Sequence, residues 1–294
     1  MRAAFRTMLA GPRPVVAPNV FNALSARLAA AAGFEALYLG GGPLGYLKCI
    51  TEANLSLPEM VDVGLEIRSA CQLPLVLDGT CGWGDPMHLH RTIALSEAAG
   101  FAAIEIEDQP MPKRAHHHIG IEHLIPMDLM VAKIIEAVRA RRDPDYLIIG
   151  RTNAARCANV DEAIRRGLAY KRAGADMLLV LPRTPDQVEY LAARLPPPLM
   201  YMALDGGLES LPHDLETMGR MGYRFIVDPM TPVLALHKAM TATYAAIARG
   251  VLDPLLGATH SHEHEAINRS IDLEKLLEIE RRTVEPDPRL MREG

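Results

Sequence analysis

Rings are scarce in this sequence: five Phe, eight Tyr and one Trp among 294 residues. A core so poor in aromatics has to be filled by Ala, Leu and Met, which suits helices packed on a sheet. The four cysteines, Cys49, Cys71, Cys81 and Cys157, form no CxxC pair, so free thiols in a reducing cytoplasm are the expected state. No stretch approaches the roughly 18 uninterrupted apolar residues of a membrane span. The opening Met1–Arg6 lacks the apolar run of a signal peptide. A face-wide block of Lys and Arg is missing too, and the formal net charge is −5. The sequence therefore predicts a cytoplasmic protein with no nucleic-acid and no membrane partner.

Hydrophobic residues make up 49% of the chain, enough for a sizeable core. They recur in one theme: a short apolar run, a polar or glycine tip, then a helical pattern. Strands are expected at 14–18, 36–40, 74–78, 102–107, 146–151, 177–182, 198–204 and 223–228. Helical patterns lie near 22–33, 58–71, 87–99, 127–141, 161–174, 184–194, 212–221 and 233–248. Runs that are apolar throughout suit parallel strands buried on both faces. Eight such units in about 240 residues predict a closed (β/α)₈ barrel over residues 1–250. Residues 251–294 form a helical extension, with Ile267, Ile271, Leu273, Leu276, Leu277 and Ile279 at helical spacing.

In such a barrel the chemistry sits at the C-terminal strand ends. Those ends offer Gly40–Gly42, then Asp78, then Glu105, Glu107 and Asp108, then Arg151–Asn153, then Asp228. Acids on neighbouring strand tips repel unless a cation or a proton joins them. Mg²⁺ suits oxygen ligands, and Arg151 has the fork geometry for a carboxylate. Metal and arginine together would clamp a small anion; an internal ion-pair network is the competing explanation. The glycine run could bring backbone N–H groups to a substrate oxygen, or simply make a tight turn.

Four segments together resemble the isocitrate lyase/phosphoenolpyruvate mutase superfamily. They are Pro18–Arg27, Asp78–Gly84 (DGTCGWG), Ile106–Gln109 (IEDQ) with Lys113-Arg114, and Ile149–Ala154 (IGRTNA), all in the family's order. The resemblance implies a (β/α)₈ barrel, a Mg²⁺ cofactor with Mn²⁺ as substitute, and chemistry on a small 2-oxo acid. It implies a homo-oligomer, dimer or tetramer, with a C-terminal helix exchanged between subunits. By motif position Asp78 binds the metal, with Glu107 and Glu52 supporting it. Arg151 and Asn153 meet the substrate, as do Gly40 and Gly41. Tyr38 and His117 complete the catalytic set.

The departures narrow the activity. Thr80 replaces the family's second Asp. Ala115 stands where lyase members carry a catalytic Cys, and Leu181 and Met202 replace a Glu and an Asn. Members acting on P–C bonds carry a loop Asn, and residues 109–118 contain none. The expectation is a Mg²⁺-dependent carbon–carbon lyase, most simply an oxaloacetate decarboxylase, working through an enolate. Phosphonopyruvate hydrolase or mutase chemistry is the alternative, and an inactive carboxylate-binding barrel the third. Lys113 and Arg114 are expected to cover an anionic substrate. Among His116–His118, His117 is the expected proton donor; a role for His260, His262 and His264 is not expected.

Overall fold

The computed structural model describes residues 1–284. Contacts divide the chain into two units, Met1–Leu234 and the segment from Ala235 onward. The first is built on eight parallel strands: β1 (Val15–Pro18), β2 (Leu37–Leu39), β3 (Leu75–Asp78), β4 (Ala103–Glu107), β5 (Leu147–Thr152), β6 (Met177–Val180), β7 (Leu199–Met202) and β8 (Tyr223–Asp228). Sheet order runs β1-β8-β7-β6-β5-β4-β3-β2. A single parallel bridge, Asn19 to Tyr38, closes β1 onto β2, with Val20 N donating to Tyr38 O at 2.8 Å. This is the (β/α)₈ barrel that the alternation predicts, and every expected strand is present.

Side chains alternate across each strand. Val15, Ala17, Val76, Ala103, Ile149, Leu179, Met200 and Phe225 fill the interior, while Leu37, Leu77, Ile104, Ile106, Ile148 and Leu178 face the helices. The alternation decides what β4 offers. Glu105 and Glu107 point inward, and Asp108 falls on the outward parity.

Helices Ala23–Ala31, Leu57–Ala70, Pro86–Ala98, Met127–Ala140, Val160–Arg172, Asp186–Ala192 and Leu215–Arg220 follow strands β1 to β7 in turn, close to their predicted places. Three helices of this unit are additional, one of them the single turn Ala154–Cys157 after β5. Arg2–Ala10 buries Phe5 and Leu9, and Phe5 meets Phe225 edge-on at 5.4 Å inside the barrel. Gly41–Leu47 starts at the glycine run, which is therefore a helix entry and not merely a turn.

The second unit holds most of helix Thr231–Arg249, then a short turn at Gly257–Thr259 and helices His260–Ser270 and Leu273–Thr283. The expected extension thus has two helices, and its last residues, 285–294, lie outside the described part. No helix among the described residues is long and apolar enough to cross a membrane.

Candidate active site

The barrel's C-terminal mouth encloses a cavity of about 390 Å³. Its wall includes Tyr38, Gly40, Glu52, Asp78, His117, Arg151 and Arg156. A hollow of about 500 Å³ at Arg6, Leu9 and Pro197 lies elsewhere and contains none of these side chains. Chemistry therefore favours the mouth as the site.

Asp78 ends β3 with both oxygens held by backbone. Gly41 N donates to Oδ2 at 3.0 Å and Thr80 N to Oδ1 at 2.9 Å. Gly41 is the first residue of its helix, so the donor is one of the N–H groups that a helix start leaves unpaired. Gly41 N–H is thereby turned to Asp78 and not to a substrate oxygen; Gly40 lines the cavity, its own N–H donating to Asn19 Oδ1 at 2.9 Å. A Cβ on Gly41 would lie 3.1 Å from Glu52 Oε2 and 3.3 Å from both Asp78 Oδ2 and Thr80 Cγ2. Only glycine leaves the two acids that room. Thr80 pays with a φ of +46°, a strained value for a β-branched residue.

Glu105, Glu107 and Glu52 complete a group of four buried acids with Asp78. Arg151 on β5 lies between the two glutamates of β4, its Nη1 2.6 Å from Glu105 Oε1 and its Nε 3.3 Å from Glu107 Oε2. Its Nη2 keeps no protein partner among the described residues and is available to a ligand. Lys113 arrives from the loop after β4, and its ammonium joins Glu52 to Glu107. Lys113 is thus buried beneath the cavity and does not cover a substrate, contrary to the expectation. Asn153 likewise donates to Glu107 Oε2 at 3.2 Å and is fully buried behind it, away from the cavity wall. The position expected to meet substrate supports an acid instead.

Charge states follow from this packing. Burial, with Asp78 nearby, pushes Glu105 up to about 7, although Arg151 opposes it. Burial would raise Glu107 too, but Arg151 and Lys113 hold it below the ordinary value. Glu52, also buried, is held well below by Lys113 and His117. Asp78 is raised by burial and by Glu52. Tyr38 is kept a phenol by burial and the charges of Asp78 and Glu105; its hydroxyl donates to Glu105 Oε2 at 3.0 Å.

His117 Nε2 sits 2.6 Å from Glu52 Oε1, and its Nδ1 2.8 Å from Arg114 O. Both partners only accept, so both nitrogens carry protons. Burial disfavours that imidazolium, but Glu52 outweighs it and the pKa rises. The three adjacent histidines go different ways: His118 meets Thr51 Oγ1 at 2.6 Å and Tyr46 at 3.1 Å, and His116 meets His123 at 3.3 Å.

Asp108 does not join the acids. It accepts from Thr152 Oγ1 at 2.6 Å, Tyr170 at 2.7 Å and Arg166 at 3.0 Å, in the layer between strands and helices. Grouping it with Asp78 and Glu107 is thereby corrected, because the strand's period of two turns it outward. Asp228 accepts from Met230 N and Thr231 N at the start of the last barrel helix.

Among the described residues no three His, Cys, Asp or Glu side chains converge as a metal cage. Mg²⁺ asks for less: one or two carboxylates, with water completing its shell. The donors here are hard oxygens, and the Lys113 ammonium between Glu52 and Glu107 shows that these acids accept a cation. The residues therefore fit Mg²⁺.

A family model described as phosphoenolpyruvate phosphomutase matches residues 5–248. The chain belongs to the phosphoenolpyruvate mutase/isocitrate lyase superfamily. It is 32% identical over 286 residues to the 2,3-dimethylmalate lyase of Eubacterium barkeri, covering 95% of this chain and 96% of that one. Identity to the oxaloacetate decarboxylase of Ectopseudomonas mendocina is 37% over 242 residues, 81% of each. Among solved structures, a phosphonopyruvate hydrolase complex with oxalate and Mg²⁺ matches with a TM-score of 0.85 at 27% identity, covering 97% of this chain and 99% of that one.

Proposed function

We propose that this chain is a Mg²⁺-dependent carbon–carbon lyase acting on a small 2-oxo or 2-hydroxy dicarboxylate, in the simplest case an oxaloacetate decarboxylase. The observation that carries the reading is the buried group of Glu52, Asp78, Glu105 and Glu107 at the barrel mouth, tied by Arg151 and Lys113. Kinship with named lyases supports the reaction class. Asp78, with Glu52 and Glu107, would hold Mg²⁺, which supplies electron withdrawal from a bound 2-oxo group and its neighbouring carboxylate.

The chain's own groups do the rest. Arg151 offers Nη2 to the substrate carboxylate, its other nitrogens fixed by Glu105 and Asn153. Tyr38, held neutral and anchored on Glu105, fixes the wall beneath the reacting end. His117 carries a proton on Nε2 at the cavity edge and can deliver it to the carbon that loses its bond. Ala115 has no proton to give, which leaves His117 as the donor in this reading.

Purified protein mixed with oxaloacetate is expected to release CO₂ with Mg²⁺ and to stop when EDTA is added. Metal-independent release, or no turnover of oxaloacetate or any related diacid, would overturn the reading. The matching model and the hydrolase structure favour phosphonopyruvate as a second substrate to try. Release of inorganic phosphate would support it; the missing loop Asn argues against it.

A further inference from the structure

The cavity is not a simple cup. A side hollow of about 200 Å³ opens past the ends of β6 and β7, and the two spaces share Arg156, Met202, Leu204 and Asp205. Leu181, Pro182, Pro185 and Tyr201 add apolar wall to the side hollow, and Thr184 and Ser210 add hydroxyls. Arg156 stands at the junction, on the short helix Ala154–Cys157 that directly follows β5.

The cations near the mouth are not equivalent. Arg151 and Lys113 are bound to buried acids. The half-buried guanidinium of Arg156 makes no hydrogen bond or ion pair among the described residues, although Glu122 feels its charge. Asp205 in the same wall is exposed, so solvent screens it, and Arg183 at the rim of the side hollow is exposed as well. A dianion whose reacting end is held at Arg151 meets one uncommitted positive charge on the way to the side hollow.

We propose that Arg156 holds the remote carboxylate of the substrate and that the side hollow takes an alkyl branch beside it, making the ligand an alkyl-substituted four-carbon diacid. The assignment of the reacting end rests on the function proposed above. Which bond breaks then depends on the diacid. A 2-oxo diacid can pass the electrons of a departing CO₂ to its oxo group, whereas a 2-hydroxy diacid has no such acceptor. In a 2-hydroxy diacid the C2–C3 bond breaks instead: the hydroxyl proton goes to a wall carboxylate and the bonding pair moves to C3. That pair spreads into the anchored carboxylate, and a proton from His117 Nε2 completes the product. For 2,3-dimethylmalate the balanced products are pyruvate and propionate.

Calorimetry in Mg²⁺ with oxalate, malate and 2,3-dimethylmalate tests this on the full chain, Arg156→Gln and Arg156→Lys. Oxalate has no remote carboxylate, so its affinity should stay within about twofold in all three, which also shows that the variants fold. Malate should lose about tenfold or more in Arg156→Gln and recover in part in Arg156→Lys. Each buried methyl should tighten wild-type binding about fourfold, so dimethylmalate should bind better than malate. Equal malate affinity in all three proteins, or parallel losses for oxalate and malate, would overturn the role of Arg156. Dimethylmalate binding no better than malate would overturn the branch hollow. These readouts are of binding, so failure to turn over any diacid would count against the proposed activity and leave the Arg156 test intact.

Discussion

Glu105 and Glu107 stand two residues apart on one strand, and both are buried, yet their charges differ. Lys113 and Arg151 together keep Glu107 ionised, whereas burial lifts Glu105, which has Arg151 as its one cationic partner, to about 7. In the metal-free protein the folded chain therefore holds a proton on Glu105 that the unfolded chain releases near 4.5. That contribution to stability is complete below the lower value and is lost as pH rises toward the upper one. Denaturation in EDTA across that range should show stability falling with pH, with a shallower fall in Glu105→Gln; an unchanged slope would refute the assignment. Asp78→Ala removes the acid around which Gly41 and Thr80 are arranged. Turnover should drop by about three orders of magnitude and Mg²⁺ affinity with it, measured by activity and metal titration. Asp78, Arg151 and Glu107 were legible in the sequence because their motifs sit on strand tips, where geometry is fixed by the barrel. Lys113 was not, because the path of a loop decides whether a lysine turns inward or outward. Glu105 was visible at a strand end, but its partnership with Tyr38 spans 67 residues and leaves no local trace.

At the scale of elements, the eight strands were readable because parallel strands buried on both faces leave unbroken apolar runs. The first helix was overlooked: its signal is only Phe5 and Leu9, four residues apart, and its place at Phe225 is set by closure of the barrel. Parity within a strand mattered more than composition. Asp108 follows Glu107 directly, so it faces helix Val160–Arg172 and binds Arg166 and Tyr170 there. Asp108→Ala would leave a buried guanidinium and two hydroxyls without their acceptor. Removing one partner of a buried ion pair typically costs about 3–5 kcal/mol. Urea unfolding should show a loss of that order, while oxalate affinity in protein kept folded stays near wild type. A loss under about 1 kcal/mol would show that water readily replaces the carboxylate.

For the whole molecule, the apolar residues of the last two described helices pose the question. Ile267, Ile271, Leu276, Leu277 and Ile279 are each between 38% and 50% exposed in the single chain. Ile267 lies on the first of these helices and Ile271 just past its end, four residues on, while Leu276, Leu277 and Ile279 cluster on the second, with Glu274, Lys275, Glu278 and Arg281 supplying charge around them. Exposed apolar patches of that kind mark association surfaces more often than free ones. The resemblance to a family that exchanges a C-terminal helix points to a second copy of this chain as the occupant. An isologous contact would bury each patch twice over, once per subunit, by a single symmetry operation. The chain is therefore expected to be a dimer or tetramer in solution, and Ile271→Asp combined with Leu276→Asp should shift it toward monomer in light scattering. The first unit carries the barrel and every side chain of the candidate site, so the double variant should keep its helical circular-dichroism signal below the unfolding transition. A wild-type mass equal to one chain, or an assembly indifferent to both charges, would show that these residues serve something other than self-association.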